Sequence, residues 1–310
     1  MINMRLMWCG QLENWRSRIP VPVLTKNRRA KGTSGRALEG GSAFVLLALG
    51  VPLLLSACSS SPSGTSSSST ESSSSQALRI MVTNDDGFSA PGINAVVQGL
   101  RTLPLTSVTV VAPLTNESGT GGQTTPSSSG PLVTSAGQTQ SGYPATAVHG
   151  YPADTVIWAV KDHGLSFKPD LVVSGINFGQ NLGPSAAQSG TVGAAREAVS
   201  LGVPALAASQ GLDNTQQPMF SEGVAFVKAW VESHRRQLLT NGNGSQPIQA
   251  NLNVPTCPTS VRGPVMTVMA SSGDTNTLVV NCSSMSTSYS NDLQAFRLGL
   301  ATLTALYPPS

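Results

Sequence analysis

The chain has 310 residues, 39% of them hydrophobic, which is enough for a sizeable core in one large domain or two small ones. Charged residues make up only 11%, against roughly 25% in average domains, and Ser, Thr, Gly and Pro are abundant, a profile that suits an exported protein with many loops. The formal charge of +3 gathers at the front, where eight basic residues precede position 40 against Glu13 and Glu39; from Cys58 onward 10 basic residues face 13 acidic ones, and a mildly acidic body without a basic stripe argues against a nucleic-acid duplex as partner.

Residues 1–58 read as a targeting segment. A basic stretch, Lys26 to Arg36, precedes an apolar run from Ala43 to Leu55 that is too short and too interrupted to span a membrane comfortably. The run ends in Leu55-Ser56-Ala57-Cys58 followed by Ser59, which resembles the bacterial lipobox. That resemblance implies cleavage before Cys58 and lipid attachment to it, giving an exported protein that is anchored to the cell membrane or lies elsewhere outside the cytoplasm. An ordinary secretory signal with an incidental Cys is the alternative, and the long stretch before the apolar run leaves a start downstream of Met1 open. Residues 59–77 are almost entirely Ser and Thr, too poor in apolar groups to offset the entropy of ordering, and form a disordered tether. The folded domain is residues 78–310.

Within that domain, Leu78 to Val82 is a short branched-apolar run that reads as a buried strand, stopped by the turn chemistry of Asn84-Asp85-Asp86-Gly87. Ile93, Val96, Val97, Leu100 and Leu103 recur at helical spacing, and Val108 to Ala112 is a second strand. From Gly119 to Gly142 the chain is polar, with weak strand signals near Leu132-Val133, and a surface excursion is expected. Pro152 to Val160 begins a helix, Leu171 to Ser174 is a third strand, and Ser189-Gly190-Thr191 opens another helix running to about Leu201. Pro204 to Ala208 is a strand. Phe220, Val224, Val227, Val231 and Leu238 mark a long amphipathic helix. Strands are expected at Ile248 to Val254 and Val261 to Met269, a hairpin limb at Leu278 to Asn281, and a closing element from Leu293 to Leu306. Strands alternating with helices predict an α/β fold with a mostly parallel sheet covered on both faces, followed by a smaller C-terminal β-rich extension.

In such a sheet, loops at the carboxyl ends of neighbouring strands converge on one crevice. Asp85 and Asp86 follow the first strand, Ser118 sits in the loop after the second, and Asn177 lies three residues beyond the expected end of the third. Alone, Asp-Asp-Gly is as readily a solvated turn. Two adjacent carboxylates at a buried strand end nevertheless repel each other unless a cation or donors compensate, and an all-oxygen set suits one hard divalent cation, Mg²⁺ or Mn²⁺, better than zinc. His149, His163 and His234 have no ligand-like spacing. The helix start at Ser189, Gly190 and Thr191 offers free backbone N–H groups and hydroxyls to a phosphate, although small residues there are also ordinary caps.

Val82-Thr83-Asn84-Asp85-Asp86-Gly87, Ala90-Pro91-Gly92-Ile93, Val110-Val111-Ala112-Pro113, Asn116-Glu117-Ser118-Gly119, Asp170 to Asn177, Asn181-Leu182-Gly183 and Ser189-Gly190-Thr191-Val192 resemble, in order, the SurE family of metal-dependent nucleotidases. The resemblance continues through Gly150 to Asp154 and Asn251 to Pro255, covering most of Leu78 to about Met269. It implies a Rossmann-like three-layer α/β/α core and a 5′/3′-nucleotidase that hydrolyses nucleoside monophosphates or other phosphomonoesters. It also implies that Asp85, Asp86, Ser118 and Asn177 hold the metal, that Asn84 supports the loop, and that Ser189, Gly190 and Thr191 hold phosphate; in a metal-assisted hydrolysis, Asp85 or Asp86 is then the expected proton acceptor.

The chain departs from the family at Glu117, where a basic residue is usual, and at its end, where the family's acidic and His positions fall on Arg297 and on Leu306 or Tyr307. These departures motivate a rival reading, a catalytically weakened relative that binds a nucleotide or other phosphorylated ligand; a structural surface lipoprotein with a vestigial carboxylate loop is a third. The segment between Met269 and Asp292 looks short for the family's oligomerisation arm, so a homodimer or tetramer is only the default expectation. In an exported domain the pair Cys257 and Cys282 favours a disulfide between the two late strands, with two unpaired buried thiols as the alternative.

Overall fold

The computed structural model describes residues 76–212, 217–240, 247–275 and 278–307. The leader with Cys58 and all but the last two residues of the tether lie outside these. Strand β1 (Leu78–Thr83) buries every residue except Arg79, which is half-buried and paired with Asp170 at 2.8 Å. Helix α1 (Pro91–Leu100) opens with proline in its first turn, where a missing N–H removes no helical bond. Then come β2 (Thr106–Pro113), β3 (Thr134–Gln138), β4 (Pro144–Val148), α2 (Pro152–Val156), which continues into a wider turn at Ile157–Lys161, and β5 (Leu171–Phe178). The second half adds α3 (Gly190–Ser200), β6 (Ala205–Gln210), α4 (Phe220–Thr240), β7 (Gln249–Val254), β8 (Arg262–Met266), α5 (Asp292–Arg297) and β9 (Leu300–Thr304).

Among the described residues, the nine strands form one sheet in the order β3-β4-β2-β1-β5-β6-β7-β9-β8. The central block from β4 to β7 is parallel throughout, and antiparallel pairing enters only where β3 meets β4 and β9 meets β7. Alternate residues of each central strand serve opposite layers, because successive strand side chains point to opposite faces. Ile80, Val82, Val110, Val173, Leu206 and Leu252 pack under α1 and α4. Met81, Val111, Val172, Ala205 and Ala207 pack under α2 and α3, where Ala194, Ala195 and Ala198 let the helix come close to the sheet. This is the three-layer architecture expected from the strand and helix alternation.

Three local features differ from expectation. β5 runs on to Phe178 instead of stopping at Ser174: a register shift between Ser174 and Asn177 lets its ladder with β6 resume, with Asn177 opposite Ser209 and Phe178 opposite Gln210. Asn177 is therefore carried by the strand itself. Secondly, residues 278–281 lie in coil and form no hairpin limb, while β8 and β9 supply the C-terminal extension as added strands of the main sheet. Thirdly, β4 was not anticipated, since Pro-Ala-Thr-Ala-Val carries little apolar signal and is ordered by parallel pairing with β2. Cys257 and Cys282 are joined at an S–S distance of 2.05 Å, tying the exit of β7 to that coil instead of to another strand. Among the described residues, no helix is long and apolar enough to cross a membrane.

Candidate active site

The sheet order reverses direction at β1. The chain goes from β1 to β2 on one side, then returns to place β5 on the other, so the loops leaving β1 and β5 part at the junction and open a crevice at the strands' carboxyl ends. The carboxylate loop occupies that point. Asn84 is fully buried and closes the loop by donating from Nδ2 to the Gly87 carbonyl at 2.9 Å. Gly87 has φ +96°, a conformation that favours glycine, and a side chain there would press on the Thr115 carbonyl of the next loop at 3.2 Å. Below it, the Thr83 and Thr155 hydroxyls share a buried 2.8 Å hydrogen bond that fixes the end of β1 to α2.

Three strand tips are stitched together through the two aspartates. The Glu117 N–H donates to the Asp85 carbonyl at 2.7 Å, which brings the loop bearing Ser118 against the carboxylate loop. The Phe178 N–H donates to Asp86 Oδ2 at 3.1 Å, which does the same for the tip of β5 bearing Asn177. Asn177 is buried and donates from Nδ2 to the Gly179 carbonyl at 2.8 Å, an arrangement that presents Oδ1 as its acceptor. Ser118 is exposed, its N–H held by Asn116 Oδ1 at 2.9 Å in a local turn. The four oxygen-bearing residues expected at the site are thus on mutually bonded segments.

Asp85 is only 2% exposed, and its carboxylate is turned into the start of α3: the Thr191 N–H donates to Oδ2 at 3.0 Å and the Thr191 hydroxyl to Oδ1 at 2.6 Å. Burial raises its pKa, with the Thr191 hydroxyl and backbone donors opposing that rise. Asp86 is pushed up to about 6, first by burial and then by the Asp85 charge, while the Phe178 N–H holds it down. Among the described residues, neither carboxylate has a cationic side chain paired with it. Asn84 Oδ1, buried at the same loop, has no hydrogen-bond partner. Two adjacent carboxylates held by neutral donors only, and a buried amide oxygen without a hydrogen bond, form a donor set that fits a hard divalent cation. Among the described residues no three His, Cys, Asp or Glu side chains cluster in a way that would hold a metal, so a zinc-type centre has no candidate.

The start of α3 is arranged differently from a free phosphate cradle. Ser189 caps the helix, its Oγ accepting from the Val192 N–H at 3.1 Å. Both donors of Thr191 are committed to Asp85. A Cβ on Gly190 would stand 2.8 Å from the Asp85 Cβ, so the helix start is packed directly onto the carboxylate loop. Sequence reasoning placed Thr191 near the ligand and missed its role as the partner of Asp85; only tertiary placement pairs residues 106 positions apart.

A second carboxylate fixes the surrounding loop. Asp154, buried in α2, accepts from the Thr125 N–H at 3.0 Å, the Thr125 hydroxyl at 2.7 Å and the Tyr151 N–H at 2.9 Å. The same loop meets the segment just before α3, where the Gly121 N–H donates to the Gln188 carbonyl at 3.0 Å. At the far end of the chain, Asp292 is buried and accepts from the N–H groups of Gly183 and Ala270, both at 2.8 Å, so it orders the loop after β5. Arg297 is exposed, Leu306 is buried in the layer under α3, and the Tyr307 hydroxyl donates to the Arg196 carbonyl at 3.0 Å. None of these three residues is bonded to the carboxylate loop. Glu117 turns its Oε1 back to accept from the Thr115 hydroxyl at 2.9 Å, beside Ser118.

A family model described as survival protein SurE matches residues 80–275. The curated 5′-nucleotidase SurE of Pelobacter propionicus is 41% identical over 191 residues, a match spanning 61% of this chain and 71% of that one. That of Methanopyrus kandleri is 38% identical over 169 residues, 51% of this chain and 61% of its own. Among solved structures, the SurE protein from Aquifex aeolicus superimposes with a TM-score of 0.56 at 27% identity, covering 74% of this chain and 94% of that one.

Proposed function

The chain belongs to the SurE family, and from that premise we propose that it is a 5′-nucleotidase, a hydrolase that releases phosphate from nucleoside monophosphates in a divalent-metal-dependent reaction. The observation that carries the metal assignment is the pair of adjacent carboxylates at the switch point, Asp85 and Asp86, both raised in pKa by burial and, among the described residues, without a cationic partner. In this reading Asp85, Asp86, Ser118 and Asn177 hold one cation, Mg²⁺ or Mn²⁺, with Asn84 behind them. When bound, the ion offsets the two negative charges and stabilises charge on the phosphoryl oxygens.

The chain's own groups divide the remaining work. Asp85 has both oxygens engaged by Thr191, so it is fixed as a ligand and is poorly placed to exchange a proton. Asp86 has Oδ2 on the Phe178 N–H and is the carboxylate suited to take a proton from an attacking water at Oδ1. Ser189, at the positive end of α3, keeps its hydroxyl proton to offer the ester's phosphate, while Gly190 and Thr191 contribute by holding Asp85. Phosphate release from a panel of nucleoside monophosphates, measured with Mg²⁺ or Mn²⁺ and again after chelation, tests this reading; ligand binding without release would favour a weakened relative instead.

We also propose that the protein is exported, lipidated at Cys58 and spaced from the membrane by residues 59–77, and that it forms a homodimer. Support for export comes from the Cys257–Cys282 disulfide, since such bonds persist in oxidising compartments. A Cys58→Ser protein recovered in the soluble fraction is the expected result, and one that still sediments with membranes would contradict lipidation. Sedimentation velocity on the purified protein decides the assembly state.

A further inference from the structure

We propose that Phe178 is the platform on which the substrate's nucleobase stacks, making this site selective for nucleoside monophosphates over phosphomonoesters that carry no aromatic ring. This rests on the nucleotidase reading above and adds a specificity residue to it.

Phe178 ends β5, a strand whose other seven residues are all buried, yet it is 45% exposed. Isolated exposed apolar residues are ordinary on protein surfaces, so exposure alone would carry nothing; position does. Its N–H donates to Asp86 Oδ2, and the preceding residue is Asn177, so the ring is rooted directly at the carboxylate pair. Its backbone is held on the other side as well, because it is in register with Gln210 of β6 and the next residue, Gly179, donates to the Gln210 carbonyl at 2.9 Å. The ring therefore projects from a clamped strand end and not from a free loop.

The separation also matches the ligand. In a nucleoside monophosphate the base and the phosphate lie on opposite sides of a sugar, so a base platform cannot occupy the phosphate site itself. Successive strand residues turn to opposite sides, with a rise of about 3.3 Å per residue. Asn177 and Phe178 are successive residues of the strand tip, so in this proposal the first serves the cation and the second serves the base, with the sugar between them. An aromatic face accepts any base, because every base has a π-face, so the platform separates nucleotides from other esters and does not choose among bases.

The test compares kcat/KM for adenosine 5′-monophosphate with that for glycerol 2-phosphate in the wild type, Phe178→Ala, Phe178→Leu and Phe178→Trp. Loss of one base–aromatic stack lowers the ratio of the two by roughly 5- to 150-fold in Phe178→Ala and Phe178→Leu, and Phe178→Trp keeps it within about threefold. Using the ratio cancels any general loss of folded or active protein. An unchanged ratio, whether both esters suffer equally or neither does, overturns the proposal while leaving the nucleotidase reading intact. If the wild type hydrolyses neither ester, that reading fails separately, and calorimetric affinity for adenosine 5′-monophosphate, then measurable without turnover, decides the platform. Weaker binding by Phe178→Ala in the same range supports stacking; equal affinity, or no binding by the wild type, overturns it.

Discussion

Asp86→Asn should make the metal-free protein more stable while abolishing its activity. In the folded chain the Asp86 carboxyl is displaced from its ordinary 3.8 to about 6, because burial and the Asp85 charge both disfavour ionisation. The sign follows from proton binding. Between these two values the folded state holds the proton and the unfolded state has released it, so stability is fullest below pH 4 and falls as pH rises toward 6. That displacement corresponds to roughly 3 kcal/mol as an upper limit, and partial solvent exposure of the side chain reduces the expected effect to about 1–3 kcal/mol. Asp85, also raised, contributes with the same sign. His234, whose pKa burial lowers, opposes it, since its neutral folded form gains stability as pH rises. The informative quantity is therefore the difference between wild type and Asp86→Asn. Denaturant titrations followed by tryptophan fluorescence in EDTA, from pH 4.5 to 7.5, should show the variant gaining on the wild type as pH rises, and added Mn²⁺ should reverse the order at pH 7.5. A difference that is flat with pH, or a wild type indifferent to Mn²⁺, would refute the claim that this carboxylate pair is an uncompensated cation site.

Two further outcomes follow from the same contacts. Thr191→Val removes the hydroxyl that donates to Asp85 Oδ1 at 2.6 Å but keeps the backbone N–H; a charge-assisted bond of this kind contributes about 1.5–3 kcal/mol, so calorimetric Mn²⁺ affinity should fall by about one to two orders of magnitude, whereas Thr191→Ser should retain it. Replacing Cys257 and Cys282 by Ser opens a link that spans 25 residues, which chain-entropy reasoning values at about 3.5 kcal/mol. Chemical denaturation should show that loss, with wild-type protein under reducing conditions falling to the level of the double variant.

The central strands were legible because burial on both faces leaves unbroken apolar runs: Ile80-Met81-Val82 and Leu171-Val172-Val173 admit few other readings. Loops bearing Asp85, Asp86 and Ser118 were legible because each follows such a run and stops it with turn residues. What escaped depended on partners distant in sequence. β4 has no strand signal of its own and exists through its ladder to β2. Asn177 was placed beyond a strand end because Gly175 breaks the apolar pattern, yet the register shift restores pairing two residues later. Thr191 looked like a phosphate donor because a helix start commonly is one, and nothing local reveals that Asp85 fills it. The order of motifs along the chain supplies what spacing alone does not, since the resemblance it carries implies that the three strand tips serve one site.

The central claim is that a divalent cation held at Asp85, Asp86, Ser118 and Asn177 enables hydrolysis of nucleoside monophosphates. Its most direct test is phosphate release from adenosine 5′-monophosphate by wild type and Asp86→Asn, each stripped with EDTA and then resupplied with Mg²⁺ or Mn²⁺. The account predicts release by the wild type that vanishes on chelation and returns with metal, and none by the variant under any condition. Release that persists in EDTA, or that survives in Asp86→Asn, would contradict it.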